Sequence, residues 1–151
     1  MTEWTILGGV ILMLLLVFGW YVQVVQAQAE RAAFRATLGA LRTALVIDHL
    51  RKSVASTQAV VVSTQQNPFK LLERSPPNYR GEMALPTASA QARGNWVFDA
   101  DCSCAAYFAL DVKGIDSPSG DGLLKYRVEG APGVLRLTPA ARYVWRGEMV
   151  D

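Results

Sequence analysis

The residues with the most obvious chemical potential are Cys102, Ser103 and Cys104, two thiols one residue apart. Two thiolates make half of a tetrahedral zinc site, and the remaining two ligands have no clear source, because the chain's single histidine, His49, lies far upstream. As a redox pair, C-x-C lacks the spacing of thioredoxin-like C-x-x-C, and no β-α-β pattern surrounds it. A local disulfide, a pair of free or buried thiols, and a metal or redox role are therefore all open. Asp99, Asp101 and Ser103 fall at the first, third and fifth places of a calcium loop, but Cys104 stands where the loop needs glycine and Leu110 where it needs an acid. These aspartates, with Asp116 and Asp121, read better as turn and strand-edge residues. No Ser-His-Asp set, P-loop or dinucleotide fingerprint occurs, so neither catalytic residue, cofactor nor metal is expected.

The elements that would position these groups begin with an uncharged segment. Residues 5–22 (TILGGVILMLLLVFGWYV) carry no charge, and at about 1.5 Å rise per residue they match a hydrocarbon core of about 30 Å. Trp4, Ile6, Leu12, Leu15, Phe18, Trp20 and Tyr21 are the expected anchor residues, with aromatic side chains at both ends where headgroups would lie. A retained membrane span competes here with a cleaved signal peptide and with a buried core helix. The Ala27-Gln28-Ala29 triplet resembles a cleavage site. Glu3 has the wrong sign for a basic leading region, and the apolar run exceeds a usual signal core. Arg31, Arg35 and Arg42 follow the segment and no basic residue precedes it, a bias that favours a cytoplasmic C-terminal part.

No turn signal follows the span. Phe34, Leu38, Leu41 and Leu45 recur at helical spacing and are the expected packing face; Val46, Ile47, Leu50 and Val54 widen it, and Asp48 can pair with Arg51 or Lys52. The β-branched stretch at residues 59–63 is a fraying helix end or a short strand. Asn67-Pro68 is a turn, residues 69–72 can make one helical turn, and the prolines that follow give an extended path. From Asn95 the period becomes two: Trp96 and Phe98; Ala106, Phe108, Leu110 and Val112; Leu124, Tyr126 and Val128; Leu135 and Leu137. Turn residues, including Gly130-Ala131-Pro132-Gly133, separate these runs. One apolar face per strand implies an antiparallel sheet covered on one side by the helix. The tail carries Tyr143, Val144 and Trp145, expected as an edge strand or exposed contact, with Tyr143 and Trp145 the interface candidates.

The chain has 151 residues and a net charge of +2 from 15 basic and 13 acidic side chains, with no basic block of the kind that binds nucleic acid. Its length leaves room for one soluble domain beyond the span. The expected fold class is α+β, a long N-terminal helix packed on a small antiparallel sheet. The expected organisation is an anchor at residues 1–25, an amphipathic helix at 26–62, a connecting loop at 63–94, and the sheet with its tail at 95–151.

This order resembles the type IV pilin-like superfamily of pilins, minor pilins and pseudopilins. Residues 67–72 (NPFKLL) with 76–82 (PPNYRGE) look like the helix exit of minor pilin-like proteins. Residues 94–99 (GNWVFD) resemble their Gly-x-Trp-x-x-Asp first strand, and Leu124-x-Tyr126-x-Val128 the strand after it. The processing signal departs from the family: no basic leader is present, and Gly8-Gly9 is followed by Val10-Ile11-Leu12 without the acid of a mature pilin. The chain thus looks like an uncleaved accessory component, such as those of MSHA-type pili, or like a sequence that lacks its leader. The resemblance implies a single-pass bacterial inner-membrane protein with its sheet in the periplasm, an oxidising space in which a Cys102–Cys104 disulfide can persist. It implies a structural, non-enzymatic role in type IV pilus assembly or type II secretion. Partners would be other pilin-like or secretion-system subunits and the lipid bilayer, without nucleic acid or small-molecule substrate. The competing expectation is an anchored or secreted periplasmic binding module with a disulfide or metal at the C-x-C.

Overall fold

A computed structural model describes residues 2–55, 66–85, 93–131 and 134–150. The β-branched stretch at 59–63, the Pro132-Gly133 turn and the middle of the expected connection, residues 86–92, lie outside the described residues. The fold is α+β. A single helix, α1 (Thr2–Ala55), precedes strands β1 (Tyr79–Glu82), β2 (Trp96–Asp99), β3 (Cys104–Phe108), β4 (Ile115–Asp116), β5 (Leu123–Ala131), β6 (Val134–Pro139), β7 (Val144–Trp145) and β8 (Glu148–Met149). The chain divides into two compact units, residues 1–35 and 36–151.

The first unit is helix alone. Its sequence holds no proline and is rich in Leu, Val and Ile, and its side chains from Trp4 through Tyr21 are exposed. The helix is long and apolar enough to cross a membrane, and none of its most apolar window is buried. Near the end of this unit Phe34 is buried.

The second unit is built on a five-stranded sheet of order β1-β2-β3-β5-β6, with a second sheet of order β4-β7-β8 beside it. All pairings are antiparallel except β1 with β2, which is parallel. In the large sheet the pleat places Trp96, Phe98, Ala105, Tyr107, Leu124, Tyr126, Val128, Leu135 and Leu137 on one face. Leu38, Leu41 and Leu45 of α1 are buried at 3%, 0% and 0% exposure. At about 25 cal/mol per Å², each contributes roughly 2 kcal/mol of apolar burial.

The stripe is narrower than its sequence pattern suggests. Val46, Ile47, Leu50 and Val54 are exposed, because only positions spaced four and three apart keep to one side of the helix. Asp48 pairs with Lys52 at 2.6 Å one turn on.

The sheet also differs from the one-sided expectation. Every residue of β2 and β3 is buried. On the second face, Val97, Ala106, Phe108 and Leu123 form a small cluster with Leu85 packed against it. Among the described residues that follow β1, Leu85 covers this second face of the central strands. The polar pattern survives on β5 and β6, where Arg127, Glu129 and Arg136 are exposed, and on edge strand β1, where Arg80 and Glu82 are. Strand β3 ends at Phe108, so Leu110 and Val112 do not extend its apolar face; Leu110 is exposed, and Val112–Gly114 forms a 3-10 turn.

Candidate functional site

The expected anchor residues Trp4, Ile6, Leu12, Leu15, Phe18, Trp20 and Tyr21 are all exposed large hydrophobic side chains on one continuous helix. An apolar surface of this extent in water would be costly, and a lipid or protein environment removes the cost. Of the expected packing face, Phe34, Leu38, Leu41 and Leu45 are all buried.

The expected interface pair is corrected. Tyr143 and Trp145 are buried, at 4% and 1% exposure, rather than presented to a partner. Trp145 pairs with Ile115 in β4 and stands 6.3 Å from the Tyr107 ring. The Tyr143 hydroxyl accepts a bond from the Lys125 backbone N–H at 3.1 Å, while Val150 N–H donates to the Tyr143 carbonyl. Burial holds the Tyr143 phenol above its ordinary value. The tail is amphiphilic because its apolar residues close the end of the core. The turn Arg146-Gly147 takes left-handed backbone at both positions, φ 48° and 82°, as a two-residue type I′ hairpin requires.

Cys102 and Cys104 are joined in a disulfide. Ser103 between them has φ 52°, which turns the chain so that the two side chains can meet. No thiolate remains for a metal in this state. Asp99 beside them is buried, its two carboxylate oxygens accepting from Leu85 N–H and Asp101 N–H, each at 2.9 Å. That carboxylate therefore ties the backbone at Leu85 to the end of β2. Among the described residues no group of three or more His, Cys, Asp or Glu side chains is placed to hold a metal ion.

One polar node escaped the sequence reading. Asn67, only 5% exposed, caps the 3-10 turn Pro68–Leu71 by accepting from Phe69 N–H at 2.9 Å. Its amide nitrogen donates to the Tyr79 hydroxyl at 2.8 Å and to Glu82 Oε1 at 2.9 Å. Lys70 reaches the same Glu82 oxygen at 2.7 Å. These bonds, Asn67's first, hold the Glu82 carboxyl below its usual range, while burial raises the Tyr79 phenol. The Phe69 ring stacks on Tyr79 at 4.1 Å and approaches Trp96 at 5.9 Å, continuing to Tyr107. The signal was Asn directly before Pro, an N-cap followed by proline at the first turn position.

Shallow grooves flank the helix of the second unit. One of about 420 Å³ lies where Ala44, Ile47 and Arg51 face Leu71 and Leu72. Another of about 460 Å³ runs along β6 and is lined by Arg42, Val46, Leu135, Arg136, Leu137 and Thr138. Neither gathers a catalytic set. Comparison with protein-family models, curated proteins and solved structures finds no match.

Proposed function

We propose that the chain is a membrane-anchored, pilin-like subunit that serves in type IV pilus or type II secretion assembly through protein–protein contacts. What carries this reading is α1. One helix of 54 residues begins as an exposed apolar segment of membrane-spanning length and ends with Leu38, Leu41 and Leu45 in the core of a small antiparallel-rich sheet. That layout is compatible with a pilin. The Trp96–Asp99 segment is a strand, but the second of the chain rather than the first that the resemblance implies, because Tyr79–Glu82 precedes it.

In this reading the anchor sits in a bacterial inner membrane and the sheet lies in the periplasm. The Cys102–Cys104 disulfide favours an oxidising compartment and so weighs against the orientation suggested by Arg31, Arg35 and Arg42. Lateral contacts would involve the exposed helix in the bilayer, and contacts of the sheet domain would form outside it. The test is deletion of the gene in a host that assembles such a machine, followed by complementation with the full chain. Loss of filaments or secretion, together with reduced levels of neighbouring components, is expected. Unchanged assembly, secretion and component levels would reject the proposal.

A further inference from the structure

Within the second unit, α1 turns Leu38, Leu41 and Leu45 into the core. Its opposite side carries an apolar row of its own. Ala36, Ala40, Thr43, Ile47, Leu50 and Val54 are spaced four, three, four, three and four, and all six are exposed. At 3.6 residues per turn they fall within about 80° of arc, centred about 170° from the buried three. A four-three alternation is the 3.5-residue repeat of a coiled-coil seam. In the sequence the same spacing runs upstream through Ala33, Ala29, Gln26 and Val22, a register of roughly four and a half heptads.

The row stands clear of the rest of its unit. The two shallow grooves run down its flanks, one between Ala44 and Arg51 and the residues Leu71 and Leu72, the other past Arg42 and Val46. The helix is therefore a ridge with the row along its crest. No charged residue belongs to the row. Its one hydroxyl is satisfied within the helix, Thr43 Oγ1 donating to Gly39 O at 3.0 Å. Covering the crest would strand neither a charge nor a donor.

The residue types along the crest select its occupant. In heptad terms Ala40, Ile47 and Val54 stand at a, and Ala36, Thr43 and Leu50 at d. β-branched residues at a with leucine at d favour a parallel pair of helices. In such a pair of identical chains, each g position meets the e position of the next heptad. Gly39 then faces Ala44 and Val46 faces Arg51, so no like charges are opposed. Two copies anchored through the same segment in one membrane also point the same way. Ile47, Leu50 and Val54 are 43%, 55% and 88% exposed, and with the smaller residues the crest offers about 500 Å² per copy. The total of about 1,000 Å² meets the lower bound of a specific interface, and confinement to a bilayer raises the effective concentration.

We infer that residues 36–54 of α1 form a parallel, in-register, two-stranded coiled coil with a second copy of this chain. Ile47, Leu50 and Val54 pack against their counterparts, and Arg51 lays its aliphatic stem along Val46 of the second copy. The inference names one partner for the protein–protein role proposed above. It rests on that reading only for the membrane anchor, which sets the parallel direction.

The test uses the full chain in lipid vesicles at a low protein-to-lipid ratio, with the Cys102–Cys104 disulfide left in place. Thr43→Cys and Leu50→Cys are made separately and oxidised. Each should give a covalent dimer on a non-reducing gel, whereas Lys52→Cys, exposed on the side of α1 away from the row, should not. Cross-linking at only one of the two row positions, as an antiparallel or staggered packing gives, would overturn the inference. So would a yield at Lys52 equal to theirs, the mark of random collision. Leu50→Glu should weaken association at least about tenfold, read by energy transfer between labelled copies. Because Leu50 is 55% exposed, the circular dichroism of this variant should match the parent, and unchanged association would again refute the pairing. Flotation of the vesicles scores anchoring separately. Protein left behind removes the membrane-anchored reading, and the same cross-links are then decided in solution.

Discussion

Replacing Asn67 isolates the node that fastens the 3-10 turn Pro68–Leu71 to strand β1. In Asn67→Ala the Phe69 N–H loses its cap and the Tyr79 hydroxyl loses its donor. A lost N-cap costs about 1 kcal/mol and an orphaned, partly buried polar group about 1–2 kcal/mol. Leaving aside the exposed Glu82 bond, a loss of about 2–3 kcal/mol is expected. Asn67→Asp keeps the cap but sets a carboxylate where the amide nitrogen stood, 2.9 Å from Glu82 Oε1. Two carboxylates so close cannot both ionise freely, so one binds a proton well above its ordinary value. At neutral pH this variant should be at least as unstable as Asn67→Ala, and it should gain on the parent as pH falls through that raised value toward the ordinary carboxylate range near about 4.

The parent behaves in the opposite sense. Its Glu82 is held below the ordinary value of 4.5 by Asn67 and then Lys70, so the unfolded chain binds that proton more readily. The contribution is full above that value and disappears as pH falls through the lower folded one. Urea unfolding of the full chain in detergent, followed by tryptophan fluorescence, reads these differences, because Trp96 lies 5.9 Å from Phe69. An Asn67→Ala variant within about 0.5 kcal/mol of the parent, or an Asn67→Asp variant with no relative gain in acid, would refute the reasoning.

Trp145→Ala should cost about 3–5 kcal/mol in the same assay, because the side chain is 1% exposed; an outward-facing contact residue would cost under about 0.5 kcal/mol. Asp111→Asn should cost no more than about 1 kcal/mol, since the 2.7 Å pair with Arg146 is partly exposed. That loss should vanish in acid: the Arg146 bond chiefly holds Asp111 below its ordinary 3.8, so the pair's contribution is present above that value and fades below it. Alkylation of the unfolded, unreduced chain should label no thiol, and labelling after reduction should find both Cys102 and Cys104, checked by intact mass.

Much of the architecture was legible. The uncharged run at residues 5–22, the spacing of Phe34, Leu38, Leu41 and Leu45, and the period-two runs around Phe98, Tyr126 and Leu137 state their elements directly. Strand β1 was hidden because Gly81 breaks its alternation and because parallel pairing with β2 leaves no hairpin signal. The small sheet was hidden because two-residue strands have no period to detect. Leu110 and Val112 continued the β3 alternation on paper, yet the strand ends at Phe108 and the chain bends at Leu110, leaving it in solvent. Tyr143 and Trp145 misled because an amphiphilic tail reads alike whether its apolar side meets a partner or its own core.

The bond from Arg42 to Leu137 spans 95 positions in the chain. A ribosome makes the helix first and its β6 partner almost last. At about 5–20 residues per second, the finished stripe of Leu38, Leu41 and Leu45 waits roughly 5–20 s for the strands that cover it. During that interval the sheet has not yet formed and the stripe is a free apolar surface, open to holdase chaperones or to the wrong partner. Synthesis order therefore makes docking of the helix a late step, and a nascent chain paused before residue 123 would expose this stripe even if everything already made were correct.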